Sequence, residues 1–175
     1  MPINWAKADL EDILLYNDLA TNAKIKSGDV IIIPNGVISA TQSSLAKGSS
    51  GSKVFQSYPT YAGYYLRPIV GGRKSQGLHG NNGVDLAAPK GTPILASAEG
   101  KVIVSRASGY NGGYGLYVVI SHANGTQTLY AHMSKNNVVS GQYVDQGQVI
   151  GAVGSTGRST GNHLHFEVRG AKNPF

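Results

Sequence analysis

From Tyr58 to Phe175 the apolar residues come in short β-branched runs broken by glycine, and no stretch sustains a helical period. A chain written this way makes strands and tight turns, so residues 58–175 are predicted to be all-β. The pattern predicts strands over Pro93–Ala98, Lys101–Arg106, Leu116–Ser121, Thr126–His132, Gln148–Val153 and His163–Arg169. Asn124-Gly125 is a hairpin turn signal between the third and fourth of these. Asn124-Gly-Thr126 also fits a glycosylation sequon, but the turn explains it better. Gly91-Thr-Pro-Ile-Leu-Ala and Gly147-Gln-Val-Ile-Gly-Ala echo one another as turn followed by strand.

The first third of the chain reads differently. Residues 8–20 suit a short amphipathic helix, with Asp9 as N-cap and Leu10, Ile13 and Leu14 on its apolar face. Ile25–Pro34 reads as a turn leading into a short strand that proline stops. Half of residues 36–53 are Gly or Ser, so 36–57 is predicted to be a linker. Charge divides along the same line. Residues 1–35 hold three Lys and five acids, a net of −2. Residues 36–175 hold twelve Lys or Arg and four acids, a net of +8. A basic domain favours a polyanionic partner, but these cations are scattered rather than striped, which argues against nucleic acid. No apolar run reaches membrane-spanning length, and the chain does not open with a signal peptide. The absence of cysteine excludes disulfides, thiolate metal sites and a cysteine nucleophile.

Four of the five histidines fall in three segments that read as pieces of one zinc site. In His163-Leu-His-Phe-Glu-Val-Arg169 strand alternation sends Leu164, Phe166 and Val168 to the core. His163, His165, Glu167 and Arg169 then share the other face. Glu167 reads as a solvated strand residue, with orientation of His165 as its alternative. His79 and Asp85 sit in a glycine-rich loop, and a mixed His/Asp pair suits zinc. Tyr130 and His132 are predicted to share a face at the end of the hairpin strand. On that register His122 lies about 17 Å nearer the turn with opposite parity, which makes it a structural or surface histidine. Tyr110, Tyr114 and Tyr117 line a groove or simply pack on the sheet. The chain carries no His-Glu-x-x-His helix, no Gly-x-Ser-x-Gly elbow and no paired glycosidase carboxylates.

Taken together, Gly77–Pro89, Gly91-Thr-Pro-Ile, Asn111-Gly-Gly-Tyr-Gly, Thr128–Met133 and Gly154–Glu167 resemble the lysostaphin-like, LytM-type zinc endopeptidases of bacterial cell walls. The motifs come in the family's order. The resemblance implies a distorted antiparallel β-sandwich with a groove across one sheet. It implies His79, Asp85 and His165 as zinc ligands and His132 and His163 as catalytic histidines. Five residues separate His79 from Asp85 where many members have three, so this loop is the family's longer variant. The implied reaction is zinc-assisted hydrolysis of peptide cross-links in peptidoglycan, in an extracytoplasmic setting. One imidazole takes the proton of water, and the other stabilises the oxyanion or protonates the leaving amine.

Residues 1–35 resemble the second half of a LysM wall-binding module, lacking its first strand and helix, as expected of a fragment of a longer exported protein. A non-catalytic LytM-type regulator of wall amidases is the alternative function. Ser140–Gly151 also resembles part of a lipoyl or biotinyl carrier domain, but no carrier lysine occupies the expected hairpin.

Overall fold

A computed structural model describes Tyr58–Phe175 and, before them, Lys24 alone. The expected helix over 8–20, the partial LysM-like segment over 1–35 and the linker over 36–57 lie outside the described residues. Among the described residues no helix is long and apolar enough to cross a membrane.

The regular structure of the described residues is nine antiparallel strands and one short 3-10 turn, Asn111–Gly113. The first four strands are β1 (Arg73–His79), β2 (Gly83–Ala87), β3 (Pro93–Leu95) and β4 (Gly100–Arg106). The others are β5 (Leu116–Ser121), β6 (Gln127–Asn136), β7 (Tyr143–Val144), β8 (Val149–Val153) and β9 (His163–Arg169). The main path runs β1-β2-β9-β6-β5-β4-β7, while β8 attaches to β6 and carries β3. The two echoing segments are partners: Pro93 faces Ala152 and Ile94 faces Gly151.

β6 shapes the whole molecule. On one side it pairs with β5; on the other, Gln127–Ala131 pair with β9 and Met133–Asn136 with β8. The change of partner falls at His132, whose φ is 58°. That left-handed residue bulges the strand and bends it. β8 and β3 therefore close over the same core that β9, β2 and β5 line from the other side, which makes the distorted β-sandwich. Leu164, Phe166 and Val168 enter this core as predicted, beside Val84, Leu86, Tyr130, Met133, Ile94 and Ile150. The opposite face of the main sheet has a smaller apolar cluster around Val104, Tyr117, Val119, Leu129 and Ala131.

Three expectations need correction. His79 and Asp85 are not loop residues: His79 ends β1, and Asp85 is the middle of β2, opposite His165. β1 exposes nearly every side chain and carries no apolar alternation, so its strand exists through pairing with β2. Tyr130 and His132 do not share a face. Tyr130 is wholly buried in the main core, and the bulge turns His132 to the opposite side. The hairpin turn is also one residue longer than a tight Asn-Gly turn. Gly125 N donates to His122 O at 3.1 Å and His122 N to Thr126 O at 2.9 Å. Gly125 takes a φ of 79° while Asn124 keeps a negative one. This is a type I turn closed by a glycine bulge, and Asn124 Oδ1 accepts from Thr126 N and Thr126 Oγ1 at 3.1 and 2.6 Å.

Candidate metal centre and imidazole pair

β2 and β9 lie side by side with Asp85 opposite His165 and Ala87 opposite His163. Period-two alternation then puts Asp85, His163, His165 and Glu167 on one face. His79 arrives at the end of β1, and the turn 80–82 that joins it to β2 is pinned from behind. There Asn82 takes a φ of 59°, which asparagine tolerates. Its side-chain amide donates to Val168 O and Ala171 O at 2.6 and 2.7 Å. Asn173 Nδ2 donates to Asn82 O at 2.9 Å. The longer loop is thus held by the end of β9 and the residues after it.

His79 Nε2 is 3.3 Å from Asp85 Oδ1, and His165 Nδ1 is 2.9 Å from the same oxygen. One donor atom from each residue lies within 4.8 Å of the others. Tetrahedral zinc with bonds of about 2.0–2.1 Å separates its ligands by about 3.3 Å, so two nitrogens and one carboxylate oxygen here fit that ion. The tautomers fit as well. His79 Nδ1 donates to Gly77 O at 2.7 Å, which in the neutral ring leaves Nε2 as the acceptor toward Asp85.

His132 and His163 complete the cluster, with ring centroids 4.7 Å apart. His132 Nδ1 donates to Thr156 O at 2.8 Å, and His163 Nδ1 donates to Gly161 O at 2.9 Å. A carbonyl can only accept, so each Nε2 is an unprotonated acceptor in the neutral ring. His163 Nε2 is 3.9 Å from Asp85 Oδ2. Burial lowers the His132 pKa to about 4, reinforced by the charges of His163 and His165 and only partly offset by the Thr156 hydrogen bond. That ring is neutral at pH 7.

Asp85 and His165 favour each other's charged forms. Burial opposes ionisation of His165, but hydrogen bonds to Asp85 and Glu167 prevail and raise it to about 9. Burial likewise opposes the Asp85 carboxylate, and the hydrogen bond and charge of His165, with His79 and His163, hold it below its ordinary value.

Glu167 corrects another expectation. It is 1% exposed rather than solvated. Desolvation opposes its charge, and Arg169, His165 and Tyr114 overcome this to keep its pKa low. His122 lies away from the centre, buried between Glu99 O and Thr128 Oγ1 at 2.7 and 2.9 Å. It is structural. Of the three tyrosines, Tyr117 packs in the smaller apolar cluster, Tyr114 reaches Glu167, and Tyr110 is exposed. Thr156 was not singled out by the sequence. Its Oγ1 accepts from Leu116 N at 3.0 Å and donates to Met133 O at 2.7 Å, fixing the carbonyl that holds His132.

The profile of Peptidase family M23 matches residues 79–175, beginning on His79 itself. The chain belongs to peptidase family M23. Over 107 residues it is 51% identical to the DD-carboxypeptidase/endopeptidase Mpg of Neisseria meningitidis, covering 61% of this chain and 23% of that protein. Over 125 residues it is 41% identical to the peptidoglycan DD-endopeptidase ShyA of Vibrio cholerae, covering 69% and 28% respectively. The chain therefore spans about a quarter of the length of these curated relatives. Lysostaphin from Staphylococcus simulans superposes with a TM-score of 0.52 at 36% identity, over 58% of this chain and 44% of that one. Helicobacter pylori Csd3 does so at 0.52 and 36%, over 63% and 31%.

Proposed function

We propose that this M23 chain is a zinc-dependent endopeptidase that hydrolyses D,D peptide cross-links of bacterial peptidoglycan in the cell envelope. The observation that carries the reading is the convergence of His79 Nε2, Asp85 Oδ1 and His165 Nδ1 beside two imidazoles with bare Nε2 atoms. The D,D preference follows the DD-carboxypeptidase/endopeptidase and DD-endopeptidase activities for which the Neisseria and Vibrio relatives are named. Residues 58–175 form the peptidase domain in this proposal, with 36–57 as linker and 1–35 as a partial LysM-like segment.

His79, Asp85 and His165 would hold the metal, which supplies an acidified water and polarisation of the scissile carbonyl. The remaining work falls to His132 and His163. Their backbone-held Nδ1–H groups keep both rings fixed, so each Nε2 is a general base that needs no reorientation. The pair accepts the proton of the attacking water. As imidazolium it stabilises the oxyanion and then returns the proton to the leaving amine nitrogen. Glu167 is too enclosed by its partners to serve as the base.

The test is digestion of purified peptidoglycan by the full chain, with released fragments identified by mass spectrometry. Split D,D cross-links, abolished by a chelator and restored by zinc, are the expected products. Intact wall in the presence of a zinc-loaded protein would overturn the proposal in favour of a non-catalytic regulator.

A further inference from the structure

One buried charge takes no part in that chemistry. Glu167 Oε1 accepts from His165 Nε2 at 3.1 Å and from the Tyr114 hydroxyl at 2.9 Å, while Oε2 accepts from Arg169 Nε at 2.8 Å. Tyr114 reaches further. Its side chain bonds to Asn81, in the loop between His79 and Asp85. Its carbonyl accepts from the backbone N–H of His132 at 2.9 Å. An ion pair with Arg169 alone would leave Oε1 unfilled, and a buried carboxylate oxygen without donors is costly.

We propose that Glu167 is a positioning residue, anchored by Tyr114, that fixes His165 with Nε2 protonated and Nδ1 turned to the metal. The inference rests on the reading of His165 as a ligand. Either ring nitrogen of histidine can bind a metal, and the neighbour of the other nitrogen decides which one does. A carboxylate cannot donate, so Nε2 must carry the hydrogen and Nδ1 is left for the cation. The adjacent negative charge makes that nitrogen a better donor. Through its carbonyl and its hydroxyl, Tyr114 ties the backbone of one catalytic imidazole to the orientation of one ligand.

The experiment compares the full-length wild type with Glu167→Gln, Tyr114→Phe and the double variant. Zinc affinity is read by competition with a chromophoric chelator, the His165 tautomer by long-range proton–nitrogen NMR of the zinc-loaded protein, and metal-free stability by thermal melting. Glu167→Gln should weaken zinc roughly ten- to a hundredfold. Tyr114→Phe should weaken it several-fold and add nothing to Glu167→Gln, because it acts through that residue. Wild-type spectra should show His165 protonated at Nε2. Lower melting temperatures with unchanged zinc affinity would make the network purely structural and overturn the proposal, as would a protonated Nδ1 on zinc-bound His165. Should Glu167→Gln fail to fold, Tyr114→Phe and the wild-type tautomer still decide. A wild type that binds no zinc refutes the functional reading as well, whereas zinc-binding variants indistinguishable from wild type refute only this inference.

Discussion

Gly83 offers a sharp test of how tightly the centre is built. It opens β2 opposite Glu167, on the face that carries His165. A Cβ placed on it would lie 2.6 Å from His165 Cε1, 2.9 Å from Nε2 and 3.4 Å from Glu167 Cγ. Carbon atoms in ordinary contact sit about 3.5–4.0 Å apart, so the imidazole must retreat by about 1 Å. It has little freedom to do so, being bonded at both nitrogens, to Asp85 at 2.9 Å and Glu167 at 3.1 Å. A retreat of that size takes at least one bond beyond hydrogen-bonding range. Gly83→Ala is expected to weaken zinc binding at least tenfold and to lower turnover on cross-linked muropeptides about a hundredfold. Overpacking should cost about 1–3 kcal/mol, a fall in Tm of roughly 4–12 °C for a domain of this size. The control is Gly77→Ala in β1, where an added Cβ meets nothing within 4 Å and all three quantities should hold. Chelator competition, a muropeptide assay and calorimetry on both variants suffice. A Gly83→Ala protein with wild-type zinc affinity and turnover would refute the reasoning.

Other outcomes follow from the same geometry. His165→Ala should lose zinc, whereas His163→Ala should retain zinc and lose turnover; full activity of His163→Ala would remove it from the proposed catalytic pair. Thr156→Val keeps the shape but strips partners from Leu116 N and Met133 O. It should cost about 1–3 kcal/mol for each group left unpaired and slow turnover through His132, with zinc affinity unchanged. Tyr130→Phe removes the hydroxyl that accepts from Ser97 N at 2.8 Å and Thr128 Oγ1 at 2.9 Å. Its loss should appear in the melting temperature and not in kcat. His122 predicts a pH dependence of stability. Burial lowers its pKa, with the Glu99 carbonyl opposing, and it is enclosed by Tyr64, Tyr65 and Thr128. The unfolded chain takes up a proton below about pH 6.5 that the folded state resists. Its contribution is therefore complete above that pH and declines as pH falls toward the depressed folded value. His122→Gln should flatten that part of a melting-temperature profile, and an unchanged slope would show that another group is responsible.

Much of this molecule was legible because alternation along a strand is a local property. The residues Leu164, Phe166 and Val168 announced their burial, and His163 and His165 their common face, from spacing alone. β1 could not be read this way. An edge strand with exposed side chains leaves no periodic trace, and only its pairing with β2 brings His79 beside Asp85. Nor could the side chosen by His132, since simple alternation would have left it facing the core with Tyr130. The bulge reversed it. Glu167 reads as a polar strand residue in the sequence, and only the fold brings Tyr114, fifty-three positions away, to close over it.

The amino-acid order by itself determined the all-β class, the core face of β9 and the shared face of His163 and His165, because these depend on neighbours a few positions apart. Only the tertiary structure decided which ring nitrogen faces the centre, which carboxylate is buried and which histidine stays apart. Those outcomes depend on hydrogen bonds between strands distant in sequence, whose partners no local pattern specifies.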